Sequence, residues 1–150
     1  MSTAEQLDAL YELALYNPKN LHQIVDLGVI DETVGSFIWH ATGIDVHNFL
    51  ISIDNYSIIH TLQRHGNPVK EAAKGQLAVQ KHHFQEVLSV ILEADSVKYD
   101  VRRGKEALIF EKKKDPLYFV VKELRQVVKK GKQNRLMLQT FYIKKKSAEP

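Results

Sequence analysis

The sequence predicts an α+β fold in which helices come first and an antiparallel sheet follows. Up to residue 94, apolar side chains recur at every third or fourth position, as on one face of a helix. From Val97 onward, apolar and polar side chains alternate, as along a half-buried strand. Short connections rich in Gly, Lys and Asp join these later runs, which favours antiparallel hairpins. Helices followed by a meander of strands are typical of the α+β class.

The predicted helices begin after capping residues and end at helix-stopping residues. Asp31 and Asp54 stand directly before two of them, where a carboxylate accepts hydrogen bonds from free backbone N–H groups. Gly43 and Gly66 follow the same two helices, and glycine is the preferred residue after the last helical turn. The four predicted helices cover residues 3–16, 32–42, 55–65 and 81–92.

The predicted strands are short. Residues 21–30 predict a strand or turn that ends at Gly28, and residues 49–53 form a second apolar run. The meander consists of four alternating runs, at residues 97–101, 108–110, 118–122 and 135–144. The connections between these runs fall at residues 102–104, 113–116 and 129–132.

Length and composition indicate one folded domain. The chain has 150 residues, 44% of them hydrophobic, which is enough for a core and excludes global disorder. It has no cysteine, which excludes disulfides and thiolate metal sites. No apolar run is as long as a membrane span, and the acidic first residues do not resemble a signal peptide. We expect residues 1–20 to form an N-terminal helical extension, residues 21–146 the main domain and residues 147–150 a flexible tail.

Positive charge is concentrated in the second half of the chain. Residues 98–146 contain 16 of the 21 Lys and Arg residues and five acidic residues. Residues 1–97 contain five basic and twelve acidic residues. Segregated positive charge is typical of proteins that bind a polyanion such as nucleic acid, and the alternative is a solvated lysine-rich surface. No basic helix with a strong apolar face occurs in this half, which disfavours an anionic membrane as the partner.

Two histidines on the third predicted helix are candidates for acid–base chemistry. His60 and His65 lie five residues apart, so their side chains are about 140° apart on a continuous helix. They share a face only if the helix has ended by His65, which Gly66 permits. An imidazole donates or accepts a proton near neutral pH. The alternative is that each is an ordinary packed histidine, and the five-residue spacing disfavours a shared metal ion.

A predicted loop and a strand lysine carry groups suited to an anion. Lys74 and Gln76 flank Gly75 between two helices, where the loop offers a cation and backbone N–H groups to a phosphate. Lys112 lies on the same strand as Phe110, before a lysine-rich turn. The alternatives are an ordinary turn and a solvated edge lysine that discourages aggregation.

The last strand carries two hydroxyl groups. Thr140 and Tyr142 lie two residues apart and therefore share a strand face, which we expect Leu138 to share as well. A site on this face would border an apolar patch. The alternative is a half-buried strand with no functional role.

Several segments, taken together, resemble one known family. They are Gly43–Val46, Ile53–Asn67 with the paired histidines, Lys74–Gln76, Ala107–Lys112, Val120–Arg125 and Leu138–Tyr142. The set resembles the phage-associated branch of the barnase–EndoU–colicin–RelE superfamily of nucleases. Each segment alone is unspecific, whereas the combination is fairly specific and covers roughly residues 28–146.

The resemblance implies a fold and a set of site residues. It implies N-terminal helices packed on a four-stranded antiparallel sheet, with the active site in the cleft between them. The implied catalytic residues are His60, His65, Lys112, Thr140 and Tyr142. The implied substrate-binding residues are Lys74, Gln76 and Arg125. Lys74 stands where the family usually has arginine before Gly-Gln, so the charge is kept and bidentate phosphate binding is lost.

The implied activity is metal-independent RNA cleavage that needs no cofactor. One histidine takes the proton from a ribose 2′-OH and the other protonates the leaving 5′-oxygen, which leaves a 2′,3′-cyclic phosphate. Lys112 would offset charge on the phosphate, Thr140 would donate a hydrogen bond to it, and Tyr142 would stack on a base or position the phosphate. The sequence does not assign base and acid between the two histidines.

The expected partners follow from this activity. The target would be a structured RNA such as tRNA in the bacterial cytoplasm, reached as part of a secreted or phage-borne toxin, with no membrane partner. An acidic immunity protein would complement the basic surface and protect the producing cell. Two alternatives involve no catalysis: a nucleic-acid-binding module, or a structural component of a phage or secretion system in which the histidines are core packing.

Overall fold

A computed structural model describes residues 1–16, 21–128 and 132–145 of the chain. The helices are α1 Thr3–Tyr16, α2 Glu32–Thr42, α3 Asn55–His65, α4 Pro68–Ala73 and α5 Val87–Leu92, with a 3₁₀ helix at Lys81–Glu86. The strands are β1 Ile24–Val29, β2 Leu50–Asp54, β3 Gln76–Leu77, β4 Ser96–Arg102, β5 Lys105–Lys114, β6 Leu117–Gln126 and β7 Arg135–Lys145. The predicted α+β class is confirmed.

The strands form one seven-stranded sheet in which β7 is central. The order across the sheet is β1-β2-β7-β6-β5-β4, and the short β3 pairs with a second stretch of β7. β4 to β7 form the predicted antiparallel meander, whereas β2 pairs with β7 in parallel. The predicted sheet of four strands therefore has too few strands, because local periodicity carries no information about which distant strands pair.

The capping residues act as the sequence predicts. The carboxylate of Asp31 accepts a hydrogen bond from the backbone N–H of Val34 at 2.9 Å. The carboxylate of Asp54 accepts one from the backbone N–H of Ser57 at 2.6 Å. Gly43 ends α2 with a φ of 74°, a left-handed conformation that glycine adopts without strain. The two caps set where α2 and α3 begin.

The helix α4 was not predicted. Asn67 and Pro68 do follow the end of α3, but they also begin the next helix. The side chain of Asn67 accepts hydrogen bonds from the backbone N–H groups of Val69 and Lys70, at 3.0 and 3.1 Å. Proline suits the first position of a helix because its missing N–H has no intrahelical partner there.

Helices cover one face of the sheet, which we call the helix-covered face; the opposite face of β4–β7 is the outer face. The core residues that these strands contribute are Val97, Leu108, Phe110, Phe119, Val121, Leu136, Leu138, Phe141 and Ile143. α1 adds Leu7, Leu10 and Ala14 to the same core. The expected boundary at residue 20 and the expected tail at residues 147–150 lie outside the described residues. No helix in the described part of the chain is long and apolar enough to span a membrane.

A β-bulge in β7 separates Leu138 from Thr140. The register of β6 and β7 shifts at this point, and Gln139 is the extra residue. Leu138 is 2% exposed and lies in the core, whereas Thr140 and Tyr142 alternate with core residues and lie on the outer face. The prediction that Leu138 shares their face was wrong, because one inserted residue reverses the alternation of a strand.

One carboxyl group is buried in this core. Glu123 on β6 is 0% exposed and lies across from Leu108 and Leu138 on the neighbouring strands. Neither of its carboxyl oxygens has a hydrogen-bond partner among the described residues. Burial away from water raises the pKa of Glu123 well above its usual value, because the charged form is poorly solvated there.

Candidate active site

α3 lies beside β7, between the two stretches of that strand that pair with β2 and β3. β2 pairs with residues 135–137 and β3 with residues 143–144. Between them, the Ser57 hydroxyl of α3 donates a hydrogen bond to the Leu138 carbonyl at 2.5 Å. Ile58 on the same helix is 0% exposed in the core. These two contacts anchor α3 at the point where its polar residues meet the outer face of the sheet.

His65, the last residue of α3, is held from two directions. Its ring centroid lies 5.4 Å from that of Tyr142 on β7, with the ring planes at 34°. Its Nδ1 lies 3.2 Å from Oε2 of Glu71, whose side chain is 0% exposed. The other carboxylate oxygen of Glu71 accepts a hydrogen bond from Lys74 Nζ at 3.2 Å. A buried carboxylate therefore fixes the orientation of the imidazole, as it does in many catalytic pairs.

Sequence reasoning missed Glu71. The residue lies on α4, which the sequence analysis treated as loop, so no regular element placed its side chain near the histidines. The signal for α4 was Asn67 directly before Pro68, because asparagine is a capping residue and proline is favoured at the first position of a helix.

His60 lies in a cavity between α3, β6 and β7. Tyr56, Leu124, Met137 and Gln139 are among the residues that line this cavity with it. Desolvation lowers the pKa of His60, and the positive charges of Arg64 and His65 lower it further. A lowered pKa keeps this imidazole neutral at pH 7, in the form that accepts a proton.

Both histidines of α3 lie beside β7 although the helix turns them apart. Five residues advance about 7.5 Å along a helix axis, and both side chains meet residues of β7. One imidazole on each side of a phosphorus atom is the arrangement that transesterification needs.

Thr140 joins this site with a cation that sequence reasoning did not select. Lys122 on β6 lies directly across from Thr140 on the outer face. The Thr140 hydroxyl is buried and has no hydrogen-bond partner among the described residues. Lys122 follows Tyr118 and Val120 at intervals of two residues and so shares their strand face, and this spacing was the signal for its position.

The predicted loop also reaches the site. Lys74 binds Glu71, as described above, and Gln76 on β3 lies across from Lys144 on β7. The Nζ of Lys144 lies 5.7 Å from the ring centroid of Tyr142. The side-chain oxygen of Gln76 is buried and without a partner among the described residues. Lys74 and Gln76 therefore border the His65 end of the site.

Lys112 and Arg125 lie elsewhere. Lys112 shares the helix-covered face with Phe110, and its Nζ donates a hydrogen bond to the Glu93 carbonyl at 3.1 Å. Arg125 lies 3.5 Å from a carboxylate oxygen of Glu106, at the far end of β6. The structure does not bring either residue to the histidines. The two-residue period of β5 already placed Lys112 on the same face as a core phenylalanine.

A basic cavity continues the site across the outer face. It is lined by one acidic residue and by five basic residues: Asp100, and Arg64, Arg102, Arg103, Lys105 and Lys122. Such a concentration of cations raises the local concentration of a polyanion. Among the described residues, no group of three or more potential ligand side chains has the arrangement to hold a metal ion.

Comparison with known proteins gives a family match. The sequence model of the family described as phage-Barnase-EndoU-ColicinE5/D-RelE like nuclease3 matches residues 34–149. No curated protein and no solved structure matches the chain. The family match begins within α2 and includes every element that carries the site described above. The chain therefore belongs to this family of phage-associated nuclease-like domains, as the resemblance of its motifs indicates.

Proposed function

We propose that this nuclease domain is a metal-independent endoribonuclease that cleaves by attack of a ribose 2′-OH on the adjacent phosphodiester. The observation that carries the proposal is the arrangement of two imidazoles against one strand. His65 packs on Tyr142 and is held by the buried Glu71, and His60 lies in a cavity that Met137 and Gln139 of the same strand also line. Two imidazoles supply both proton transfers that this reaction requires.

His60 is the proposed general base. Its lowered pKa leaves it neutral at pH 7, so it accepts the proton of the 2′-OH as the oxygen attacks phosphorus. The new bond joins the 2′-oxygen to phosphorus, and the bond between phosphorus and the 5′-oxygen breaks. The products are a 2′,3′-cyclic phosphate and a free 5′-hydroxyl. DNA is inert because it has no 2′-OH.

His65 is the proposed general acid. The imidazolium form gives its proton to the departing 5′-oxygen. The Glu71 carboxylate holds the Nδ1 side of the ring at 3.2 Å, so the proton that is transferred belongs to Nε2. Glu71 is a positioning residue and does not touch substrate, because its side chain is 0% exposed.

Lys122 and Arg64 are the residues proposed to stabilise the negative charge on the reacting phosphate. Both line the outer-face cavity, and Lys122 lies across from Thr140. They take the role that the family resemblance assigns to Lys112, whose amine is engaged on the other face of the sheet. The Thr140 hydroxyl is buried in the free protein, so it contacts phosphate only after neighbouring side chains move. Tyr142 offers a ring face to a base.

The substrate class and the biological setting follow from the family and the charge. A structured RNA such as tRNA suits the basic outer face, and cleavage of it in the bacterial cytoplasm is toxic. A phage-borne or secreted toxin of this kind needs an acidic immunity protein, which would cover the basic cavity by charge complementarity. Co-expression with an acidic neighbouring protein that forms a stable complex and restores host growth tests this part.

The test of catalysis uses total bacterial RNA in the presence of EDTA. Wild type is compared with His60→Ala, His65→Ala and the control His40→Ala, which changes an exposed histidine at the end of α2. Discrete fragments that end in 2′,3′-cyclic phosphate should appear with wild type and with His40→Ala. Their absence with both site variants supports the proposal. Equal cleavage by wild type and His60→Ala would refute the proposal.

A non-catalytic RNA-binding module is the second candidate, because the basic cavity suits it as well. Under that candidate, wild type binds RNA and produces no fragments, and His60→Ala binds with unchanged affinity. The same experiment, followed by a filter-binding measurement, separates the two functions.

A further inference from the structure

Three side chains form a stripe along α3. Tyr56, His60 and Arg64 are spaced by four residues, which places them on one side of a helix. Each end of the stripe carries a different chemistry: an aromatic ring at the start of α3 and a guanidinium at its end. The proposed general base lies between them.

The stripe runs along two adjacent cavities. The first cavity, of about 290 Å³, is lined by Tyr56 and His60. The second, of about 380 Å³, is lined by Arg64 and the cations of the outer face. Leu124 and Gln139 line both cavities, so the two are neighbours. We call the two cavities together the outer groove.

The aromatic end is a fixed and accessible platform. Tyr56 is 44% exposed. Its ring stacks on that of His22, with centroids 5.2 Å apart and planes at 22°. The Nε2 of His22 lies 2.9 Å from a carboxylate oxygen of Asp54, which holds the stack in place. One side of the tyrosine ring is thereby supported, and a flat ligand has a firm surface to stack on.

The other end of the groove is rich in positive charge. Arg64 projects from α3 toward the cluster of Arg102, Arg103 and Lys105 at the β4–β5 turn, and all four line the same cavity. Asp100 is paired with Arg102 at 3.3 Å and offsets only part of this charge. Guanidinium groups suit phosphate because they offer two parallel donors.

We propose that the outer groove binds a single-stranded segment of RNA, with one base stacked on Tyr56, the phosphate at the cleavage site held by Arg64 and Lys122, and the phosphates beyond it held by the β4–β5 turn. This assignment rests on the proposed ribonuclease function and names its substrate class. A base inside a duplex has no free face, so only an unpaired or extruded base reaches the tyrosine. The substrate is therefore a loop or another unpaired stretch, and its path crosses His60.

The test measures binding separately from cleavage. The probe is a short fluorescent RNA in which every ribose is 2′-O-methylated, used as a single strand and as a duplex with its complement. Without a free 2′-OH the probe is not cleaved. Tyr56→Ala should weaken binding of the single strand about tenfold, which is the usual effect of losing one aromatic–base stack. Tyr56→Phe should bind as wild type does, because the ring is kept.

Two further variants sharpen the test. Tyr99→Ala removes another exposed tyrosine, on β4, and should leave binding unchanged. Arg64→Ala should weaken binding and reduce the slope of log affinity against log salt by about one phosphate contact. Circular dichroism melts of every variant confirm that each is folded.

The outcomes separate this inference from the proposed function. Unchanged binding by Tyr56→Ala, or a duplex bound as tightly as the single strand, overturns the inference even if wild type cleaves natural RNA. Binding that depends on Tyr56, in a protein that cleaves no RNA, supports the groove and refutes the ribonuclease proposal.

Discussion

Replacing Glu123 with glutamine should stabilise the protein, and the gain should depend on pH. The carboxyl group is buried among core residues and has no hydrogen-bond partner among the described residues. Burial raises its pKa in the folded state well above the usual 4.5. The folded protein therefore keeps this proton to a higher pH than the unfolded chain does, so wild type loses stability as the pH rises above 4.5.

The size of the effect follows from linkage. Each pH unit between the unfolded and the folded pKa of Glu123 reduces the stability of wild type by about 1.4 kcal/mol. Below pH 4.5 both states carry the proton and nothing is lost; the loss grows as the pH rises and stops at the folded pKa. At pH 7 the loss is at most on the order of 3 kcal/mol, the limit that applies when the folded pKa is 7 or higher. Glutamine has a similar shape and no proton to lose, so it removes this pH-dependent loss.

The assay is urea unfolding followed by circular dichroism at several pH values from 4 to 8. The free energies of unfolding of wild type and Glu123→Gln should differ least at pH 4 and most at pH 7 or above. Glu111→Gln is the control for the loss of one negative charge, because Glu111 lies on the neighbouring strand and is partly exposed. A difference that stays constant with pH, or a glutamine variant that is less stable at pH 7, would refute the reasoning.

Three other substitutions test the site and its anchor. Desolvation is the main cause of the lowered pKa of His60, and the charge of Arg64 is the second. Arg64→Gln removes that charge and should raise the pKa of His60, so the acid limb of the pH–rate profile should move to higher pH. An unmoved limb excludes His60 as the base. Lys122→Ala should lower the cleavage rate constant about 100-fold, whereas Lys112→Ala should leave it near wild type; the reverse order would restore the role of Lys112. Ser57→Ala removes the hydrogen bond from α3 to β7 and should lower the free energy of unfolding by about 1 kcal/mol in urea melts.

Local chemistry was predictable from the sequence. Asp54 before the third helix and Gly66 after it mark the bounds of α3, and the structure has the helix at Asn55–His65. The placement of Tyr142 beside His65 agrees with the motif resemblance, which puts both residues in one site. These features depend on short-range hydrogen bonds and on periodicity, which the residues themselves display.

Features that depend on distant partners were not predictable in this way. The parallel pairing of β2 with β7 joins segments far apart in the chain, and nothing in the sequence of either segment indicates that it pairs with the other. The extra residue at Gln139 shifts the strand register and sends Leu138 to the core. Lys112 was assigned a catalytic role from the family resemblance alone. Phe110, two residues earlier on the same strand face, is a core residue and indicated that this face is buried.

The position of β7 has a consequence for how the groove deforms. β7 is hydrogen-bonded along both of its sides, to β6 on one and to β2 and β3 on the other, whereas β4 pairs only with β5 in the described part of the chain. Backbone amides of the central strand should therefore exchange with solvent deuterium far more slowly than those of the β4–β5 hairpin. The outer groove thus has one stiff wall, which Met137 of β7 helps to form, and one compliant wall, which carries Arg102 and Arg103. We expect RNA segments of different width to be accommodated by bending of the hairpin, while the β7 wall keeps its position.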